Sequence, residues 1–158
     1  MNKLISILIL TSLILFSCVD PKNTLEEQPK AEILSPLPCD TMYFGESFSF
    51  KISLNDNTGL GNISFDVHNN FGHHNHGAHE TCTFDPVKQS INPYSNSWIF
   101  SLPTEKNEYL FEETITLPFE KTGTGKYDTG DYHFHIYITD NEGYQVFTTR
   151  DVKILYRS

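Results

Sequence analysis

The chain is short of the groups from which most activities are built. Eleven lysines and arginines stand against twenty aspartates and glutamates, for a formal charge of −9. The basic residues form no cluster, so a nucleic-acid surface is excluded, since phosphate neutralisation needs concentrated cations. There is no G-x-S-x-G, no phosphate-cradling glycine loop, no H-E-x-x-H, and no Ser-His-Asp or Cys-His spacing. No catalytic residue is therefore expected, and any catalysis would need a bound metal with an open position. Helix signals are sparse and no solenoid-type repeat occurs, which leaves a fold built from strands. Cysteine is limited to three residues, too few for a densely stapled scaffold.

The single long apolar run lies at the start. Lys3 is the only charge before Cys18, and Leu4 to Phe16 is almost wholly apolar. Such a run is a signal-peptide core, too short to span a bilayer as a mature helix. It ends in Leu15-Phe16-Ser17-Cys18, which resembles a bacterial lipobox. That likeness implies cleavage after residue 17 and lipidation of Cys18. Each buried CH₂ would add about 0.8 kcal/mol of membrane attachment. Loss of residues 1–17 removes Lys3 and leaves ten basic against twenty acidic residues, a charge of −10. A chain so acidic is repelled by anionic headgroups, so the lipid must hold it. Residues 18–30 are polar and aperiodic and read as a lipidated flexible tether, and residues 31–158 as one folded domain. Cys39 and Cys82 are expected to pair, as thiols in exported chains do. The alternative makes Cys82, three residues after His79, a soft metal ligand.

Strand signals fill the folded part. Phe48, Phe50, Ile52 and Leu54 alternate with polar residues, as do Ile63, Phe65 and Val67, and then Tyr132, Phe134, Ile136 and Ile138. Shorter runs lie at Ile33-Leu34, at Trp98 to Leu102, from Tyr109 to Leu117, and from Gln145 to Tyr156. A long loop spans Asn69 to Ser97, and a glycine-rich polar connection spans Lys121 to Gly130. About seven strands in this length predict an all-β fold, an antiparallel immunoglobulin-like β-sandwich, with a small barrel as the rival. Two Asp-Asn-x-Gly turns, at Asp56 and Asp140, would lie at one end of it. Turn chemistry accounts for them, and too few carboxylates are fixed by spacing for a calcium site.

What the chain does have is histidine in two groups. His68, His73, His74, His76 and His79 form one, and His133 and His135 the other; together they are all seven histidines. On a strand, residues two apart share a face, so His133 and His135 point the same way, away from the core residues Phe134 and Ile136. Asp66 and His68 likewise oppose Phe65 and Val67. In an immunoglobulin-like order these two strands are antiparallel neighbours. His68 then meets His133 and His135, and the histidine loop can fold over them. Neutral imidazoles suit Zn²⁺ or Cu²⁺ better than Cu⁺, with Asp66 or Glu80 ligating or orienting a ring. Affinity should fall below about pH 6.5 as imidazoles protonate. Otherwise the histidines are simply a solvated polar surface.

The lipobox, the tether, Leu54-x-Asp56-Asn57-x-Gly59-Leu60 and Val67-His68-Asn69-Asn70-Phe71-x-His73-His74-x-His76 together resemble a lipoprotein family of Bacteroidetes-type bacteria, a domain of unknown function. The resemblance covers most of the mature chain. It implies an immunoglobulin-like fold and an outer-membrane lipoprotein working beside a TonB-dependent transporter. More weakly, Phe65-x-Val67-His68, Phe71-Gly72 and Phe84-Asp85-Pro86 are similar to the metal region of copper-zinc superoxide dismutase. Asp66 stands where that enzyme has a histidine, and its later arginine motif has no counterpart. Three functions follow as expectations. The first is metal capture, delivery or sensing at the cell envelope; the second is a non-catalytic adhesion or transporter-accessory module; the third is a copper or zinc enzyme.

Overall fold

A computed structural model describes residues 28–74 and 82–158. The expected signal peptide, Cys18, most of the expected tether, His76, His79 and Glu80 lie outside the described residues. Among the described residues ten strands run in chain order: β1 (Lys30–Ser35), β2 (Thr41–Tyr43), β3 (Ser47–Asn55), β4 (Leu60–Asn69), β5 (Asn96–Ser101), β6 (Glu108–Thr116), β7 (Glu120–Lys121), β8 (Gly125–Lys126), β9 (Gly130–Asp140) and β10 (Gln145–Leu155). The seven expected strands are all present. The other three, β2, β7 and β8, are only two or three residues long, too short to show a period. β7 and β8 form a small hairpin where a plain polar connection was expected.

The strands form a sandwich. One sheet has the order β1-β3-β6 and the other β2-β10-β9-β4-β5. Pairing is antiparallel throughout the long strands; only β2 runs parallel to its neighbour, β10. The core lies between the sheets because period-two alternation gives each long strand one apolar face. Phe50, Ile52 and Leu54 of β3 face Ile63, Phe65 and Val67 of β4 and Phe134, Ile136 and Ile138 of β9, all essentially inaccessible. Phe50 stacks on Phe65 with ring centroids 4.3 Å apart. Each such side chain stabilises the fold by roughly 1.5–3 kcal/mol through burial.

Tyr132, at the start of the central strand β9, anchors one end of the sandwich. Its hydroxyl donates to the carbonyl of Asp128, four residues back, at 2.6 Å, and accepts from the Tyr94 N–H at 3.1 Å. That is the tyrosine corner of immunoglobulin-like domains, formed at the corresponding strand. Burial pushes the Tyr132 phenol well above its ordinary value, and Tyr94 up to about 12. At the opposite end of β9 the two Asp-Asn-x-Gly turns touch, through Asn141 N–H on the Gly59 carbonyl at 2.9 Å. Each aspartate closes its own turn. Asp56 Oδ1 accepts from the N–H groups of Thr58 and Gly59, and Asp140 Oδ1 from those of Glu142 and Tyr144.

Candidate metal centre

The register of β4, β9 and β10 decides which polar side chains meet on the outer face of the five-stranded sheet. His133 lies directly opposite His68 on one side and Asp151 on the other. One row along, His135 lies opposite Asp66 and Thr149. The next row is Ser64, Tyr137 and Phe147. Directly opposed residues in an antiparallel pair stand about 4.5–5.5 Å apart, close enough for side chains to touch.

The imidazoles were expected to face outward, away from the core residues of β9. They do leave the core, yet His133 is only 2% and His135 only 8% exposed. The loop after β4 packs His74 against His133, and Phe147 of β10 packs against His135. Asn70 N–H donates to the Asp131 carbonyl at 2.8 Å, and the turn that follows closes with His73 N–H on the Asn70 carbonyl. His74 comes next, with its ring centroid 4.9 Å from that of His133 and 5.9 Å from that of His68. Further on, Asp85 N–H donates to Asp131 Oδ2 at 2.7 Å, and the Asp85 carboxylate pairs with Lys153 at 2.6 Å. That carboxylate, with Asp131 behind it, raises the Lys153 pKa. Gly130 makes the approach possible. Its φ is +128°, and a Cβ there would sit 3.2–3.4 Å from Lys88, Phe71 and Asp85, all on the covering loop. Cys39 and Cys82 are joined by a disulfide, with Cα atoms 5.5 Å apart. Cys39 N–H also donates to the Asp151 carbonyl at 3.0 Å, so the bridge ties the loop beside the histidines. A bonded sulfur offers no thiolate to an ion, which removes Cys82 from the possible ligands.

His68 is the centre of the cluster. Its Nδ1 lies 2.8 Å from Asp66 Oδ1, and its Nε2 lies 2.6 Å from His133 Nε2. With Nδ1–H donating to the carboxylate, a neutral His68 ring has its lone pair on Nε2, aimed at His133. Behind His133, Asp151 Oδ1 stands 3.8 Å from Nδ1. The two rings that face each other thus each have a carboxylate behind them. Two three-residue sets have ligand atoms within 4.8 Å of one another: His68, His74 and His133, and Asp66, His68 and His135. The rings of His133 and His135 are 4.6 Å apart, and those of His68 and His135 4.5 Å.

His73 does not join this group. Its φ is +55°, which turns its ring away. The ring stacks on Phe84 at 4.9 Å, and Nε2, with no hydrogen-bond partner among the described residues, lies 3.8 Å from Asp131. Asp151 was missed in the sequence. Counting back along the hairpin from the Asp140 turn would have found it, because that register places 151 opposite 133.

The sequence matches the family model for a domain of unknown function, DUF4625, over residues 16–155. The chain belongs to this family. No curated protein matches it. Among solved structures, it is similar to the crystal structure of Spo0M, a sporulation control protein from Bacillus subtilis. The identity is 12% and the TM-score 0.42, over 83% of this chain and 51% of that one. This chain therefore spans about half the length of that protein.

Proposed function

We propose that this DUF4625 protein binds a divalent transition-metal ion, Zn²⁺ or Cu²⁺, through His68, His133 and His74. Its role would be capture, delivery or sensing at the cell envelope. The observation that carries the proposal is the 2.6 Å approach of His68 Nε2 to His133 Nε2, with Asp66 on the far nitrogen of His68. Two lone pairs cannot face each other at that distance without a proton or a cation between them. An ion at about 2.0–2.1 Å from each nitrogen needs them about 3.3 Å apart in tetrahedral geometry, an opening of under about 1 Å. His74, on the exposed side of the pair, supplies a third imidazole. Asp66 holds the His68 ring in the ligating tautomer, a role that carboxylates commonly play behind metal-bound histidines. An all-imidazole set favours Zn²⁺ or Cu²⁺ over Cu⁺.

Burial of His133 and His135 supports this reading over a solvated histidine surface. A lipidated Cys18 would hold the domain at the outer membrane, and a transporter there is the partner that the family resemblance suggests. We assign no catalytic residue.

Calorimetric titration with Zn²⁺ and Cu²⁺ tests the proposal. The protein should bind one ion tightly. His133→Ala/His135→Ala should weaken binding by about 100-fold or more, since loss of a direct ligand exceeds loss of a group that orients one. Binding should also weaken as pH falls below about 6.5. Equal, weak binding by both proteins would leave the short contact as a plain N–H···N hydrogen bond. A superoxide-dismutation assay on copper-loaded protein tests the enzymatic alternative, which fails if the rate matches buffer.

A further inference from the structure

An edge strand presents unpaired N–H and C=O groups, and stable proteins guard such edges with charge, bulges, proline or shortness. Among the described residues the sandwich has four edges: β1 and β6 on one sheet, β2 and β5 on the other. Three are guarded. β1 carries Lys30 and Glu32, shifts register between Ile33 and Ser35, and runs into Pro36. β6 carries Glu108, Glu112 and Glu113. β2 is three residues long.

Among the described residues, β5 has no charge, no register shift and no proline within Asn96–Ser101; the nearest proline is Pro103, two residues beyond it. Its sequence, Asn96-Ser-Trp-Ile-Phe-Ser101, is uncharged and rich in strand formers. It pairs with β4 in unbroken register from Asn96 to Ser101. Ile99, near its middle, is 76% exposed on the outer face. The surrounding sequence from Gln89 to Thr104 carries no charged side chain, in a chain whose formal charge is −9. Two such acidic molecules repel over most of their surface, and here they can approach without placing like charges together.

We propose that β5 pairs antiparallel with β5 of a second copy of this chain about a two-fold axis, joining the two five-stranded sheets. A two-fold perpendicular to the sheet keeps inner faces with inner and outer with outer. Opposed residues must then share a face, and the register centred on Ile99 satisfies this. Ile99 faces Ile99 of the other copy, and Ser97 faces Ser101, all on the outer side. Trp98 faces Phe100 on the inner side, extending the aromatic stack in which both already contact Phe65, at 5.1 and 5.9 Å. The outer faces that carry His68, His133 and His135 come to lie on one side of the joined sheet. A six-residue strand buries less than the roughly 1,000 Å² of a standing interface, so the dimer is weak and concentration-dependent.

Analytical ultracentrifugation of the purified protein with EDTA present tests this separately from any metal bridge. The wild type should pass from monomer to dimer with concentration, with a matching shift in the emission of Trp98, the only tryptophan. Ile99→Lys should remain monomeric over the same range. Its circular dichroism should match the wild type, because position 99 is open to solvent. Ser97→Glu/Ser101→Glu and Ser97→Lys/Ser101→Lys should each self-associate about tenfold more weakly, from like charges directly opposed. An equimolar mixture of the two should recover dimer. A wild type that stays monomeric throughout overturns the proposal, as does an Ile99→Lys variant that dimerises like the wild type. So does a charge-swapped mixture that recovers nothing.

Discussion

Over the first seven residues of β9 both faces are hidden from water, yet they are built from opposite materials. From Gly130 to Ile136 every residue is buried. On the inner face Tyr132, Phe134 and Ile136 fill the space between the sheets. On the outer face Asp131, His133 and His135 are buried as well. The inner face gains by removing apolar surface from water, and any side chain of the right volume serves. The outer face removes polar groups from water, which is costly unless each finds a partner. Here the partners are carboxylates and other imidazoles. Burial on one face therefore reports packing, and on the other it reports chemistry.

The sharpest way to break this contrast is to cut into the inner face. Phe134→Ala should cost about 3–5 kcal/mol of folding free energy in denaturant titrations, with or without metal ions, because it empties a packed site. On the outer face, Zn²⁺ at a hundred times its dissociation constant should stabilise the wild type by about 2.7 kcal/mol. His133→Ala should erase that response in thermal melts, and a variant that still responds would move the ion elsewhere. Asp66→Asn keeps every ligand but loses the carboxylate behind His68. It should weaken metal binding by about 10–100-fold in calorimetry and leave the ion-free melt nearly unchanged. Lys153→Met, at the edge of the outer face, should cost at most about 1 kcal/mol, since its pair with Asp85 is partly exposed. The folded-state pKa of Lys153 is raised, chiefly by Asp85. The stability it contributes is therefore complete below the unfolded lysine value of about 10.4 and is lost as pH climbs through the folded one. The wild-type advantage over Lys153→Met should vanish in strongly alkaline buffer.

Period-two alternation made the inner face legible in the sequence. Phe50, Phe65 and Phe134 each stand in a run of alternating residues, and each is in the core. The convergence of His68 with His133 was legible at one remove, because it required the strand order of an immunoglobulin-like sandwich as well as the alternation. That the histidine loop could fold over the cluster was legible too, but not the contacts that hold it there. Nothing in the composition of the Asn69 to Ser97 segment says that Asp85 will reach Lys153, or that Phe71 will close on Gly130. The turning away of His73 was equally hidden, since it depends on one backbone angle and on Phe84 eleven residues later. The short β2, β7 and β8 escaped notice because two or three residues cannot display a repeat.

The amino-acid order alone determined that the chain makes strands, which side of each strand is apolar, and that all histidines fall in two groups. Those properties are local, set by alternation and by the turn residues between runs. Only the tertiary structure decided that His68 and His133 would meet nitrogen to nitrogen, that Asp66 and Asp151 would stand behind them, and that His133 and His135 would be buried. Those properties depend on register and on loop docking, where residues far apart in the chain settle one another's positions through contacts that no local pattern encodes.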